Sequence, residues 1–184
     1  ADYRAFCEKE AYWLEDYALF HAAKKEYGGA AWTEWDAAIK RRDPDALRSL
    51  RERQRDAMEL DYFKQYVFHT QWNRLHDYAR AKGIEILGDM PIFIAQDSAD
   101  VWAHQHLFDL NEDGTPHTVA GVPPDYFAVN GQLWGNPQYK WDAMAAEKYA
   151  WWKRRFRKLR EQVDIIRIDH FRGFESYWSV DGKA

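Results

Sequence analysis

Cysteine is almost absent from this chain, Cys7 being the only one in 184 residues. No internal disulfide can form, which excludes a secreted disulfide scaffold and favours a reducing, cytoplasmic setting. Long hydrophobic runs are also missing. No stretch approaches the roughly 20 apolar residues of a membrane span, and no leader pattern opens the chain. There is no surplus of positive charge either. Lys and Arg number 26 against 30 Asp and Glu, a net charge of −4, which gives no electrostatic pull toward nucleic acid or an anionic membrane. An initiator Met is lacking, and the first residues already follow a helical pattern, which reads as a fragment or a trimmed sequence.

Aromatic rings are what the chain has in plenty. They make up 17% of residues, with ten tryptophans, and 46% of residues are hydrophobic, so a packed core is expected rather than a disordered tail. The length suits one ordinary domain and falls short of the about 250 residues of a complete (β/α)8 barrel.

Residues 2–27 read as one amphipathic helix with Phe6, Trp13, Tyr17 and Phe20 on one face, stopped by Gly28-Gly29. A second helix is expected from Thr33, as its cap, to about Arg42. Asp43-Pro44 opens a third, with Asp at the N-cap and Pro at the first helical position. It runs to about residue 82, with a break expected at 58–62, and Gly83 ends it. A helical segment over 1–82 therefore precedes an α/β segment over 83–184. In the latter, 84–88 and 163–168 read as buried strands and 141–162 as the crossover helix between them. The long connection contains an insertion over 97–140. Ser98 should cap a short helix through Trp102, and 108–120 should form a hairpin around Asn111-Glu112-Asp113-Gly114. A Gly-, Pro- and aromatic-rich loop, 120–139, should follow.

The organising stretch is VDIIRIDHFRGFESYW, residues 163–178. Alternation along a strand sends Arg167 and Asp169 to one side, where each compensates the other's charge. Two readings are open for Asp169: a turn or cap residue, or a nucleophile at the C-terminal end of a strand. The rings that follow, Phe171, Phe174, Tyr177 and Trp178, suit a sugar, with hydroxyls at its rim and C–H bonds on its faces. Asp89 sits at the corresponding end of the earlier strand. The loop 120–139 is likewise open between substrate binding and simple packing. The basic runs are expected to be solvated faces.

Several segments together resemble the 4-α-glucanotransferases of glycoside hydrolase family 77, the amylomaltases or disproportionating enzymes. They are AYWLEDYALF (11–20), GDMPIFIAQDSADVWA (88–103), AGVPPDYF (120–127), GQLWGNP (131–137) and VDIIRIDHFRGFESYW (163–178), in family order. The resemblance implies a (β/α)8 TIM barrel of which this chain carries about strands three and four, with no metal and no organic cofactor. It implies transfer of α-1,4-glucan segments between maltooligosaccharides or starch chains by retaining double displacement. By motif position Asp169 would be the nucleophile and Arg167 the arginine that keeps it ionised. His170 would bond the sugar in the cleaved subsite, and Asp89 would support the site. Asp125, Tyr126, Phe127, Trp134 and Asn136 would line glucan subsites. Ala128 departs from the family, whose members commonly carry serine there. The family's acid/base glutamate lies on a later strand; Glu175 is too near the nucleophile to be it, so the chain alone is expected to be inactive and to associate through exposed barrel edges. An α-glucan-binding fragment and an α-amylase-like hydrolase are the rival readings.

Overall fold

The computed structural model describes residues 2–126 and 128–183. Two compact units divide the chain: residues up to 72 with 97–103, and residues 73–96 with 104 onward.

In the first unit α1 spans Asp2–Glu26. It ends where Gly28 and Gly29 take φ of 63° and 88°, a region closed to most side chains. Lys24 satisfies the freed carbonyls, its Nζ donating to Gly29 O and Ala30 O at 3.0 Å each. Thr33 caps no helix. It falls within a 3₁₀ turn, Trp32–Glu34, and α2 is only Ala37–Lys40. Asp36 precedes α2 without a capping bond, because its carboxylate accepts from the Tyr27 hydroxyl at 2.9 Å. The next cap forms as the sequence predicts: Asp43 Oδ1 accepts from Asp45 and Ala46 N–H, and Pro44 opens α3, Pro44–Arg53. α4, Arg55–Ala81, begins after a break at Gln54 rather than at 58–62. Glu26 of α1 draws Arg53 and Gln54 to itself at 2.9 and 2.6 Å. Ser98 caps α5, Ala99–Ala103, through Val101 N–H. Leu14, Ala18, Leu19 and Phe20 close the core with Trp32, Trp35, Leu50 and Trp102. The Trp102 indole donates to Ile39 O, while Arg42 lies over its ring at 4.3 Å and pairs with Asp16.

In the second unit β1 is Leu87–Pro91 and β4 is Ile165–Asp169, a parallel pair with Asp89 beside Arg167 and Pro91 beside Asp169. Both strands sit further along than the apolar runs 84–88 and 163–168. Ile86 instead accepts from Asp164 and Ile165 N–H at the entry to the ladder. The crossover is two helices, α6 at Trp141–Ala146 and α7 at Ala150–Arg160, because Lys148 and Tyr149 adopt φ of 53° and 55°. α7 covers one face of the pair. Val163 packs so tightly against Gly88 that a Cβ there would lie 2.8 Å from its Cγ1. Only one face is covered. Leu87, Asp89, Ile165, Arg167 and Asp169 line an open face, so β4 is not buried on both sides as its isoleucines led one to expect.

Much of the expected loop 120–139 is ordered strand. β2, Thr118–Val122, pairs antiparallel with β3, Gln132–Pro137, and with β5, Trp178–Asp181. The hairpin expected over 108–120 reduces to a turn at Asn111–Gly114 with a Leu110–Pro116 bridge. Residues from Thr118 onward prefer the longer ladder with β3 and β5, which pairs more backbone donors.

Candidate active site

Backbone alternation decides which groups meet. On β1 and β4 the odd-numbered residues 87, 89 and 91 and 165, 167 and 169 face the open side. Arg167 grips Asp89 with both arms of its guanidinium, Nε to Oδ1 at 2.7 Å and Nη2 to Oδ2 at 2.5 Å. The sequence reading gave Asp169 as the partner of Arg167, and here the structure differs. Two residues along one strand lie about 6–7 Å apart, whereas in-register neighbours lie about 4.8 Å apart. Asp89 is therefore the nearer carboxylate. Its hydrogen bonds, and then its charge, raise the Arg167 guanidinium further above its usual value, with a smaller contribution from the charge of Asp169. The arginine thus carries attraction to both acids while its directed bonds go to one.

His170 follows Asp169 directly, in left-handed backbone with φ 51° and ψ 50°. That conformation turns the chain sharply off the strand into a 3₁₀ turn, Phe171–Phe174, and leaves Asp169 at the rim. Gly173 makes the turn possible: a Cβ there would sit 2.9 Å from both His170 Cδ2 and Ile92 Cδ1. Trp134, on β3, meets the His170 ring edge-on, with centroids 5.4 Å apart. Its indole N–H donates to Gln132 Oε1 at 3.0 Å, and the residue is 39% exposed, so part of a flat aromatic surface faces outward next to His170.

The remaining expected residues lie elsewhere. Asp125 closes the turn between β2 and β3, accepting from Ala128 N–H at 2.7 Å. Tyr126 stands out from that turn, 98% exposed. Phe127 lies outside the described residues. Asn136 spends its amide on structure, donating to Ile94 O at 2.8 Å. The site thus gathers Asp89, Arg167, Asp169, His170 and Trp134. Sequence reasoning missed Phe93, which packs against Trp134 and His170, and Tyr139, which stacks on Phe93, because they sit in runs that read as ordinary apolar strand or loop. Among the described residues no group of three His, Cys, Asp or Glu could hold a metal ion. No described helix is long and apolar enough to cross a membrane.

A carboxylate at a strand end, a guanidinium fixed beside it and an exposed indole next to a histidine make a site equipped for chemistry on a sugar. The family model for the 4-α-glucanotransferases of glycoside hydrolase family 77 matches residues 1–184, and the chain belongs to that family. It is 49% identical over 182 residues to a 4-α-glucanotransferase of Thermus thermophilus, and 47% identical over 180 residues to one of Synechocystis. These alignments cover 99% and 97% of this chain but 36% of each relative, so the chain spans about a third of their length. Its α/β fold matches the amylomaltase of Streptococcus agalactiae, solved in complex with acarbose, with a TM-score of 0.95 and 42% identity over 99% of this chain and 37% of that one.

Proposed function

We propose that this chain carries the nucleophile side of a 4-α-glucanotransferase site, acting on α-1,4-linked maltooligosaccharides or starch chains. The observation that carries the reading is Asp169 on the open strand face, two residues beyond the Arg167–Asp89 pair and followed directly by His170, whose ring Trp134 meets edge-on. Asp169 would attack the anomeric carbon as the bond to the leaving glucan's 4-oxygen breaks, giving a glucosyl ester. The 4-hydroxyl of a second glucan would then attack that carbon and return the carboxylate, with net retention. A second carboxylate, which the family resemblance places on a later strand, would protonate the leaving oxygen and later take the acceptor's proton. In retaining enzymes such a pair stands about 5–5.5 Å apart. Arg167 sets a positive charge on the same strand face as Asp169, and Asp89 keeps Arg167 in place. The Trp134 face offers a platform for a glucose ring.

In this reading β1 and β4 are adjacent strands, the third and fourth, of a (β/α)8 barrel, and their open face points to its interior. Their parallel pairing, with α7 on the opposite face, supports it. Asp125 and Tyr126, at the turn between β2 and β3, would line a glucan subsite, as would Phe127 by its motif position. The lone cysteine supports a cytoplasmic setting. The test is maltotriose disproportionation by the family-length enzyme bearing this stretch. Asp169→Asn is expected to cut formation of glucose and longer oligosaccharides on the order of a thousandfold or more. A slow fluorinated glucosyl donor is expected to leave a glucosyl ester on Asp169 by mass spectrometry. Full activity in Asp169→Asn would refute the assignment.

A further inference from the structure

The two aromatic groups of the site come from separate elements, Trp134 from β3 and His170 from the turn after β4. Each is partly exposed. A sugar platform works only if its ring is held at a fixed angle, since small misplacements near a reacting bond are costly. Phe93, just beyond β1, is the buried ring that meets both. Its centroid lies 6.2 Å from Trp134 and 6.4 Å from His170, with Tyr177 edge-on at 5.4 Å. Tyr139 also stacks on it at 6.1 Å, tilted by only 16°.

The backbone around Phe93 is held on both flanks. The Tyr139 hydroxyl donates to Ile92 O at 2.5 Å, and the Asn136 amide donates to Ile94 O at 2.8 Å. Both carbonyls lie past the end of β1, where no ladder partner is available to them, and a side chain satisfies each. With its neighbours so anchored and a ring stacked on it, Phe93 has little room to turn. It is also only 8% exposed and cannot itself lie against a ligand over any large area.

We propose that Phe93 is a positioning residue for glucan binding: it sets the angles of Trp134 and His170, and Asn136 and Tyr139 act on the substrate only by holding Phe93. This rests on the reading of Trp134 and His170 as glucan contacts. It also reassigns Asn136 from substrate contact to support.

A double-mutant cycle tests it, with maltotriose and acarbose binding measured by calorimetry and KM and kcat by disproportionation, on the full-length protein. Phe93→Leu is expected to weaken binding and raise KM about tenfold with a much smaller change in kcat. In a Trp134→Ala/His170→Ala background the same substitution should change affinity less than about twofold, because the groups it orients are gone. Equal losses in the two backgrounds, or unchanged affinity in Phe93→Leu, would overturn the proposal. Should Phe93→Leu fold poorly, Phe93→Met keeps the volume and serves as the second variant. A ligand-free readout separates this idea from the glucan reading. If Trp134→Ala leaves affinity intact, the glucan reading fails, yet the NMR shifts of the His170 ring protons still report ring geometry. They should move in Phe93→Leu, and most of that movement should vanish once Trp134 is Ala. Shifts that stay put in Phe93→Leu would overturn the positioning role whatever the ligand.

Discussion

Arg167 and Asp89 stand opposite each other in register on parallel strands and share two N–H···O bonds of 2.7 and 2.5 Å. The fork geometry fixes the guanidinium plane, which a single contact would leave free to rotate. One end of the pair is thereby set beside Asp169, two residues further along β4. Asp89 is then a support that acts through Arg167, and the effect of removing it should be read in rate more than in stability.

Asp89→Asn is the corresponding substitution. Both side chains are well exposed, 46% for Asp89 and 63% for Arg167, and pairs this open contribute little to stability. The Tm should move by no more than about 2 °C. An amide cannot accept both arms of the fork, so kcat for maltotriose should fall about a hundredfold. Arg167→Lys, which keeps the charge and loses the fork, should behave similarly. Steady-state kinetics and calorimetry on the same preparations check both halves.

Gly173 is the second test. A methyl group there would meet His170 Cδ2 and Ile92 Cδ1 at 2.9 Å each, closer than carbon atoms tolerate. Ile92 is buried and flanks the anchored Phe93, so His170 is the partner with room to move. Gly173→Ala should cost about 1–3 kcal/mol in urea unfolding, the usual range for overpacking. It should also weaken maltotriose binding, because His170 must leave its place against Trp134. Unaltered affinity would show that the His170 position is not used.

Asp164 supplies the pH dependence. Its carboxylate accepts from Ile86 N–H at 3.0 Å, from His76 Nε2 at 2.7 Å and from Arg80 Nε at 2.7 Å. The backbone bond first, then His76, and after them Arg80 hold it well below its ordinary value of 3.8, against the opposing effect of burial. A depressed folded value means the unfolded chain takes up the proton first. The stabilisation is therefore complete above about pH 4–5, and it drains away as pH falls through the folded value. Asp164→Asn should be less stable than the parent at pH 7, with the gap narrowing steadily below about pH 4. Urea midpoints across that range decide it; a gap that stays constant would show that the charge is not what stabilises.

Local chemistry made part of this protein legible from sequence. The Gly28-Gly29 stop, the Asp43-Pro44 start of α3, the Ser98 cap of α5 and the same-side placement of Arg167 and Asp169 depend on neighbours a few residues away. Short-range sterics and the two-residue period of a strand settle such features whatever lies around them. The family motifs, too, are contiguous runs, which is why the resemblance could be seen before any fold.

What the tertiary structure decided involves groups distant in the chain. Gln54, at the break between α3 and α4, bonds to Glu26 of α1, and the partner of Arg167 is an aspartate 78 residues earlier. The stretch that reads as a loop becomes β2 and β3 because β5, some fifty residues on, completes the ladder. Phe93 looked like one more apolar residue until Tyr139, Asn136, Trp134 and His170 were found around it. Local pattern cannot rank such partners, since the winner is whichever group the whole fold brings within hydrogen-bonding or van der Waals range.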